Sequence, residues 1–319
     1  RQRRASSALA ESRPDYEVVP TPYTGKRTKM SHLQLLIGFL LIQLTSSAVE
    51  VVAAGANTRS LEDQLTIRVN TFRRLDLIEY FLEYYSTCDV VAQVQVVWSD
   101  QQNKPPIHWG PYPPNKVLFE VHPKDSLSNR FRPQQFVPTQ AVLSIDDDLI
   151  VSCADLGRSL DVWKANTGVL VGFSPRMTAF NILTGGLRYL KWQHTWWSGV
   201  YSVMLTKAAL LHRDYLPDYD KLIPQEMLEH IDKGRNCEDI AMAHVVAKES
   251  GAAPVWVSVV VFEVSTGGIS SGSSHFVDRS GCLDKLSLLT GSTPWVTGYQ
   301  KSVPVSYLDA VWFWWSDTK

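Results

Sequence analysis

Three adjacent carboxylates, Asp146-Asp147-Asp148, sit between two apolar runs, Ala141-Val142-Leu143-Ser144-Ile145 and Leu149-Ile150-Val151. Carboxylates this close repel one another, so they need water or a cation between them. The run before them reads as a buried, parallel-type strand. Side chains alternate along a strand, which places Asp146 and Asp148 on one side and Asp147 on the other. Two hard oxygen ligands at the carboxyl end of a strand suit Mg²⁺ or Mn²⁺, with substrate phosphates completing the coordination. Taken alone, the same three residues also fit a solvated acidic turn.

A second acidic feature, Asn236-Cys237-Glu238-Asp239, opens an apolar stretch. Carboxylates in the first turn of a helix are favoured by its dipole and Asn236 is an N-cap residue type, so plain capping is one reading. The other reading puts Asp239 or Glu238 beside a reacting centre. Glycosyl transfer passes through an oxocarbenium-like state, and a nearby carboxylate stabilises that charge or attacks it. His275 and Arg279, one helical turn apart, could clasp a pyrophosphate, to which Arg offers a planar fork of donors. Asn129, Arg130 and Arg74 are ordinary singly and become phosphate or base contacts only jointly.

These groups need elements to position them. The spacing predicts strands over 65–70, 92–98, 117–121 and 141–145, helices over 74–85 and 155–164, and a short polar helix over 126–132. Alternating strands and helices indicate an α/β architecture, a mixed mainly parallel sheet flanked by helices. Residues 187–205 are aromatic and expected to be antiparallel. Helices are expected over 208–215, 222–231 and, capped by Asn236, 238–248. One β-branched strand is expected over 255–264, followed by a Gly/Ser loop over 266–274. The final Trp312-Phe313-Trp314-Trp315 is either a core plug or an aromatic surface patch.

With 319 residues, 45% of them apolar, the chain can bury one large core or two small ones. A net charge of −1 excludes nucleic-acid binding driven by bulk electrostatics. Its cysteines, Cys88, Cys153, Cys237 and Cys282, are too sparse for a disulfide-scaffold fold. Residues 1–30 are basic and polar, cannot bury a core, and are expected to be disordered. Residues 31–56 contain the apolar run 33–44 and are expected to form a signal anchor with a cytosolic amino side, a signal-peptide core or amphipathic helix being the alternatives. A linker at 57–64 follows.

The order Asp146-Asp147-Asp148, then Asn236-Cys237-Glu238-Asp239-Ile240-Ala241-Met242, then His275 and Arg279 ahead of Cys282, resembles the exostosin-like glycosyltransferases of family 64. Val69-Asn70-Thr71-Phe72, Val97-Trp98-Ser99, Asp125-Ser126-Leu127 and Trp196-Trp197-Ser198-Gly199 extend the resemblance. It implies a GT-A type fold over 65–319, with a nucleotide-sugar half at 65–150 and an acceptor half at 151–319. It also implies Mn²⁺ (or Mg²⁺) as cofactor and retention at the sugar carbon, with mannose passing from GDP-mannose to the glycan head group of an inositol phosphorylceramide. Matched by position, Asp148 holds the metal with Asp146 in support. Asp239 becomes the carboxylate near the anomeric carbon, with Glu238 beside it. Asn70, Thr71, Arg74, Ser99, Asn129, Arg130, Asp146 and Asp147 fall on the nucleotide sugar, and His275 and Arg279 on its pyrophosphate.

The resemblance further implies a Cys237–Cys282 disulfide, which by the loop-entropy estimate contributes about 4 kcal/mol. Cys88 with Cys153 is a second expected pair. The implied location is the Golgi membrane, as a single-pass type II protein with a luminal catalytic domain and no nucleic-acid partner. Glu238 stands where animal members carry Asp, which implies a different donor or acceptor. Two rivals share the residues: transfer from a UDP-N-acetylhexosamine to a glycan, and a carbohydrate-binding protein that kept the fold without the chemistry. A Mg²⁺ phosphohydrolase fits less well, because a nucleophilic aspartate is usually followed shortly by a hydroxyl residue.

Overall fold

The mainly parallel sheet is present, and the acidic cluster lies at its carboxyl edge. The computed structural model describes residues 59–303 except 107–109, 111, 114, 184 and 265–274. The segments 1–30 and 31–56, the Gly/Ser loop, the Trp312-Phe313-Trp314-Trp315 run and the His275 side chain lie outside the described residues. Among the described residues no helix is long and apolar enough to cross a membrane.

The first half runs β1 (Leu65–Thr71), α1 (Leu75–Ser86), β2 (Val91–Trp98), β3 (Val117–Val121), a tight helical turn at Leu127–Phe131, and β4 (Ala141–Asp146). Helix α1 buries Ile78, Phe81, Leu82 and Tyr85, the single stripe expected of an amphipathic helix. After β5 (Leu149–Val151), α2 (Cys153–Lys164) starts where Ser152 Oγ accepts from Asp155 N at 3.0 Å. Short strands β6 (Val171–Gly172), β7 (Pro175–Arg176), β8 (Thr178–Phe180) and β9 (Leu187–Tyr189) precede helix α3 (Trp192–Ser198). Then come β10 (Val203–Met204), β11 (Ala208–His212), α4 (Leu216–Leu222), α5 (Gln225–Gly234) and α6 (Glu238–Ser250). The described chain closes with β12 (Val255–Val257), β13 (Val261–Glu263), α7 (His275–Thr290) and β14 (Lys301–Ser302).

The main sheet has eight strands in the order β14-β12-β6-β11-β4-β1-β2-β3. All its neighbours are parallel except β11, which runs antiparallel to both β4 and β6. In this register Asn70 lies beside Asp146 and Thr71 beside Trp98, so the ends of three strands meet at one edge. Both expected disulfides are formed, Cys88–Cys153 tying α1's end to α2, and Cys237–Cys282 tying α6's start to α7.

Four expectations change. Residues 208–215 were expected to be helical, but 208–212 form β11, pressed between β4 and β6; the four apolar residues Ala208-Ala209-Leu210-Leu211 carry no period that separates strand from helix. The aromatic stretch 187–205 contains short antiparallel strands, as expected, but also the helix α3. The single strand over 255–264 is split: β12 joins the main sheet while β13 pairs with β5. Asn236 does not cap α6 as expected; the N-cap is Cys237, held at φ 78°, and Asn236 Oδ1 accepts from Cys237 N at 2.9 Å.

Candidate active site

The carboxyl ends of β1 and β4 open into a cleft of about 580 Å³, within the range of small-molecule sites. Strand β4 ends at Asp146, and Asp147-Asp148 form the turn into β5. The strand alternation expected for the three aspartates therefore stops after the first. Arg74 Nη1 instead joins the turn pair, donating to Asp147 Oδ1 at 2.8 Å and Asp148 Oδ2 at 3.0 Å. Asp146 pairs with Arg130 Nη2 at 2.8 Å. All three aspartates line the cleft.

Helix α6 enters from the other acidic motif. It is buried from Glu238 through Ala247 rather than along one face, so it sits inside the core with its first turn at the cleft. Asp239 Oδ2 accepts from Arg279 Nη2 at 2.8 Å, and Arg279 Nη1 reaches Tyr189 Oη at 3.3 Å. The Cys237–Cys282 bridge, one residue before α6 and three after Arg279, fixes the two helices that carry this pair.

Burial works against charge on both arginines, yet Asp146 and Glu238 around Arg130, and Asp239 beside Arg279, hold them firmly ionised. Burial and the Asp239 charge push the Glu238 carboxyl up to about 7. Burial raises Asp147 to about 6 despite Arg74. The cleft thus combines ionised guanidiniums, suited to phosphates, with a carboxyl that can exchange a proton near neutrality.

Of the residues expected from sequence, Asn70, Thr71, Arg74, Ser99, Arg130, the three aspartates, Glu238, Asp239 and Arg279 all line this cleft. Asn129 does not; its Nδ2 donates to Ser99 Oγ at 3.1 Å and Lys124 O at 2.8 Å, which sets it behind Ser99. Asn70 Oδ1 is buried at the cleft without a hydrogen-bond partner among the described residues, an acceptor open to a ligand N–H or O–H. The cleft also contains Arg176, Tyr189, Lys207, Arg235 and Phe276, which sequence reading missed. These are isolated residues at strand and helix ends, with no local pattern to mark them. Arg235 follows Gly234, where α5 ends three residues beyond the helix expected over 222–231, and it sits at φ 47°.

Among the described residues no three His, Cys, Asp or Glu side chains form a complete metal cage. The donor set nevertheless fits a hard cation: Asp146 and Asp148 offer carboxylate oxygens at an open cleft, and Mg²⁺-like ions are commonly held by one or two carboxylates plus phosphates.

The sequence profile of the glycosyl transferase family 64 domain matches residues 65–307. Glycosylinositol phosphorylceramide mannosyl transferase 1 of Arabidopsis thaliana is 33% identical over 264 residues, covering 78% of this chain and 78% of its own length. Glucosamine inositolphosphorylceramide transferase 1 of Oryza sativa is 29% identical, covering 75% of this chain but 32% of its own. Among solved structures, a mannosyltransferase from Pyrobaculum calidifontis in complex with GDP-Man and Mn²⁺ aligns at a TM-score of 0.44 and 15% identity, over 80% of this chain and 78% of its own.

Proposed function

This chain belongs to glycosyl transferase family 64 and is a glycosyltransferase, and from that premise we propose the donor, acceptor and chemistry. The chain moves mannose from GDP-mannose to the glycan head group of an inositol phosphorylceramide, with retention at the sugar carbon. The observation that carries this reading is the single cleft in which the acidic end of β4 and the Asp239–Arg279 pair of α6 and α7 both appear. The donor sugar and acceptor are proposed from the name of the Arabidopsis relative.

Asp148 and Asp146 would hold Mn²⁺ or Mg²⁺, which when bound neutralises charge on the departing diphosphate. Asn70, Thr71 and Ser99, at the ends of β1 and β2, orient the nucleoside. Arg130 and Arg279 bind phosphate oxygens through their paired N–H donors. As the bond from the anomeric carbon to the diphosphate oxygen breaks, its electron pair stays on the phosphate and positive charge grows on the sugar. Asp239 stabilises that charge. The acceptor hydroxyl oxygen forms the new bond, and Glu238 takes its proton at near-neutral pH. A lipid-linked acceptor accords with a luminal Golgi enzyme anchored through residues 31–56, which fractionation of the full chain tests.

Thermal shift of the full chain with GDP or UDP, each with and without Mn²⁺, tests the donor. GDP is expected to raise Tm only when Mn²⁺ is present, and Asp148→Asn to lose that rise and about 10²-fold or more in turnover of GDP-mannose. A Tm rise with UDP alone would move the reading to the N-acetylhexosamine donor. Wild-type turnover by Asp148→Asn would remove the metal assignment.

A further inference from the structure

The β8–β9 ribbon and α3 carry apolar side chains that neither the core nor the chemistry above uses. The ribbon is a two-stranded sheet of its own. Its turn is tightly closed: Asn181 N donates to Gly186 O at 2.7 Å, Gly185 N to Asn181 O at 2.8 Å, and Leu183 N to Asn181 Oδ1 at 3.1 Å. This leaves Ile182 and Leu183 at 88% and 95% exposure, where turn tips ordinarily carry Gly, Asn, Asp or Ser. Phe180 beside them is exposed too. On α3, Trp192 and Trp196 meet edge to face with centroids 6.4 Å apart, and Trp197 is 85% exposed. The turn tip and α3 thus each expose a run of apolar side chains, and such exposed apolar clusters mark interaction sites.

Charge indicates the partner. No acidic residue occurs between Asp161 and Asp214. Arg188 on β9 and Lys191 ahead of α3 are exposed, and Lys301 Nζ lies 5.4 Å from the centre of the Trp196 ring. Asp284 of α7 reaches the ribbon, but its carboxylate is engaged by Leu187 N at 2.6 Å. Amphipathic Trp rings, protruding aliphatics and basic side chains together are the composition of a bilayer-interface binder. A sugar-stacking platform would need flat rings, not Ile and Leu at a turn tip. The patch is also continuous with the cleft: Tyr189 at the end of β9 lines it, and Lys191 Nζ lies 5.0 Å above the ring of Phe276, another lining residue.

We propose that the β8–β9 tip and α3 dock on the surface of an anionic lipid bilayer, bringing the cleft to the head groups. This rests on the reading that the acceptor is lipid-linked, its tails staying in the bilayer while its head group enters.

All four cysteines are disulfide-bonded, so Ile182→Cys in the full chain adds a single thiol for an environment-sensitive fluorophore. Vesicles of phosphatidylcholine with phosphatidylserine are expected to blue-shift this label, phosphatidylcholine alone to shift it less, and a label at Asp161→Cys on α2 to stay in water. The double variant I182S/L183S should partition onto the anionic vesicles about tenfold more weakly, and R188E/K191E should lose the preference for anionic lipid. A label that stays wet while the chain sediments with vesicles would overturn the proposal, since another segment would then be binding. So would a label already shielded before lipid is added, or a response that ignores lipid charge. No donor is needed for these readouts. A chain that docks without transferring mannose loses the transfer reading alone, and one that glycosylates a detached, water-soluble head group without docking loses this one alone.

Discussion

Glu238 and Asp239 are neighbours in one helical turn, and their surroundings differ. Glu238 is raised from 4.5 to about 7, by burial first and the Asp239 charge second. Because the folded state favours its protonated form, that group's contribution to stability is complete below pH 4.5 and is lost as pH rises through 7. Glu238→Gln should therefore melt higher than wild type at pH 8, with the gap closing by pH 5, and should lose the rising limb of kcat/KM near pH 7. Thermal melts and a pH–rate profile check both. Asp239 faces a nearly buried Arg279, so Asp239→Asn should cost about 3–5 kcal/mol in chemical denaturation as well as activity. Asp239→Asn/Arg279→Met should recover part of that stability and none of the turnover.

The acids were legible because they are consecutive or open a helix. Tyr189, Arg176 and Lys207 were not, because a residue brought to a cleft from a distant strand end leaves no mark on its neighbours in sequence.

At the scale of elements, the sheet was legible where strand and helix alternate and failed where context outweighs pattern. Ala208-Ala209-Leu210-Leu211 has good helix formers, and only the slot between β4 and β6 makes it a strand. That slot is narrow. A Cβ on Gly172 of β6 would lie 2.7 Å from Ala209 Cβ and 2.9 Å from the backbone oxygen of Ala208. Gly172→Ala is thus expected to cost about 1–3 kcal/mol, read from the urea midpoint, despite being the smallest change available. The Cys237–Cys282 bridge closes 45 residues of chain between the two helices that hold Asp239 and Arg279. Cys237→Ser/Cys282→Ser should lose about 4 kcal/mol and lower kcat more than it raises KM, because the pair loses its fixed spacing.

At the scale of the whole molecule, one buried network holds β1, β2 and β3 together. Arg68 on β1 donates to Glu120 on β3 at 2.8 Å, to the carbonyl of Arg130 at 2.8 Å, and to Gln95 on the strand between. Burial opposes the charge on Glu120, but His122 and Arg68 hold its carboxyl down to about 2. Its stabilisation is present above the ordinary Glu range and lost as pH falls through 2. Glu120→Ala should cost about 3–5 kcal/mol by stranding Arg68, whereas Arg68→Met/Glu120→Leu should cost less than either change alone. Equilibrium urea unfolding of the three variants decides it. Nothing in the spacing of Arg68, Gln95 and Glu120 announced this network, since it exists only once three strands are in register.

The split of 255–264 between two sheets has a practical corollary. Through β13, Val264 N donates to the carbonyl of Asp148 at 2.8 Å, so the acidic turn at the cleft is pinned by a residue more than a hundred positions downstream. An epitope grafted into the Gly/Ser run after Val264 leaves that pin in place. The same graft between Val257 and Val261 would pull it out, and the placing of Asp147 and Asp148 at the cleft would be the first thing to drift.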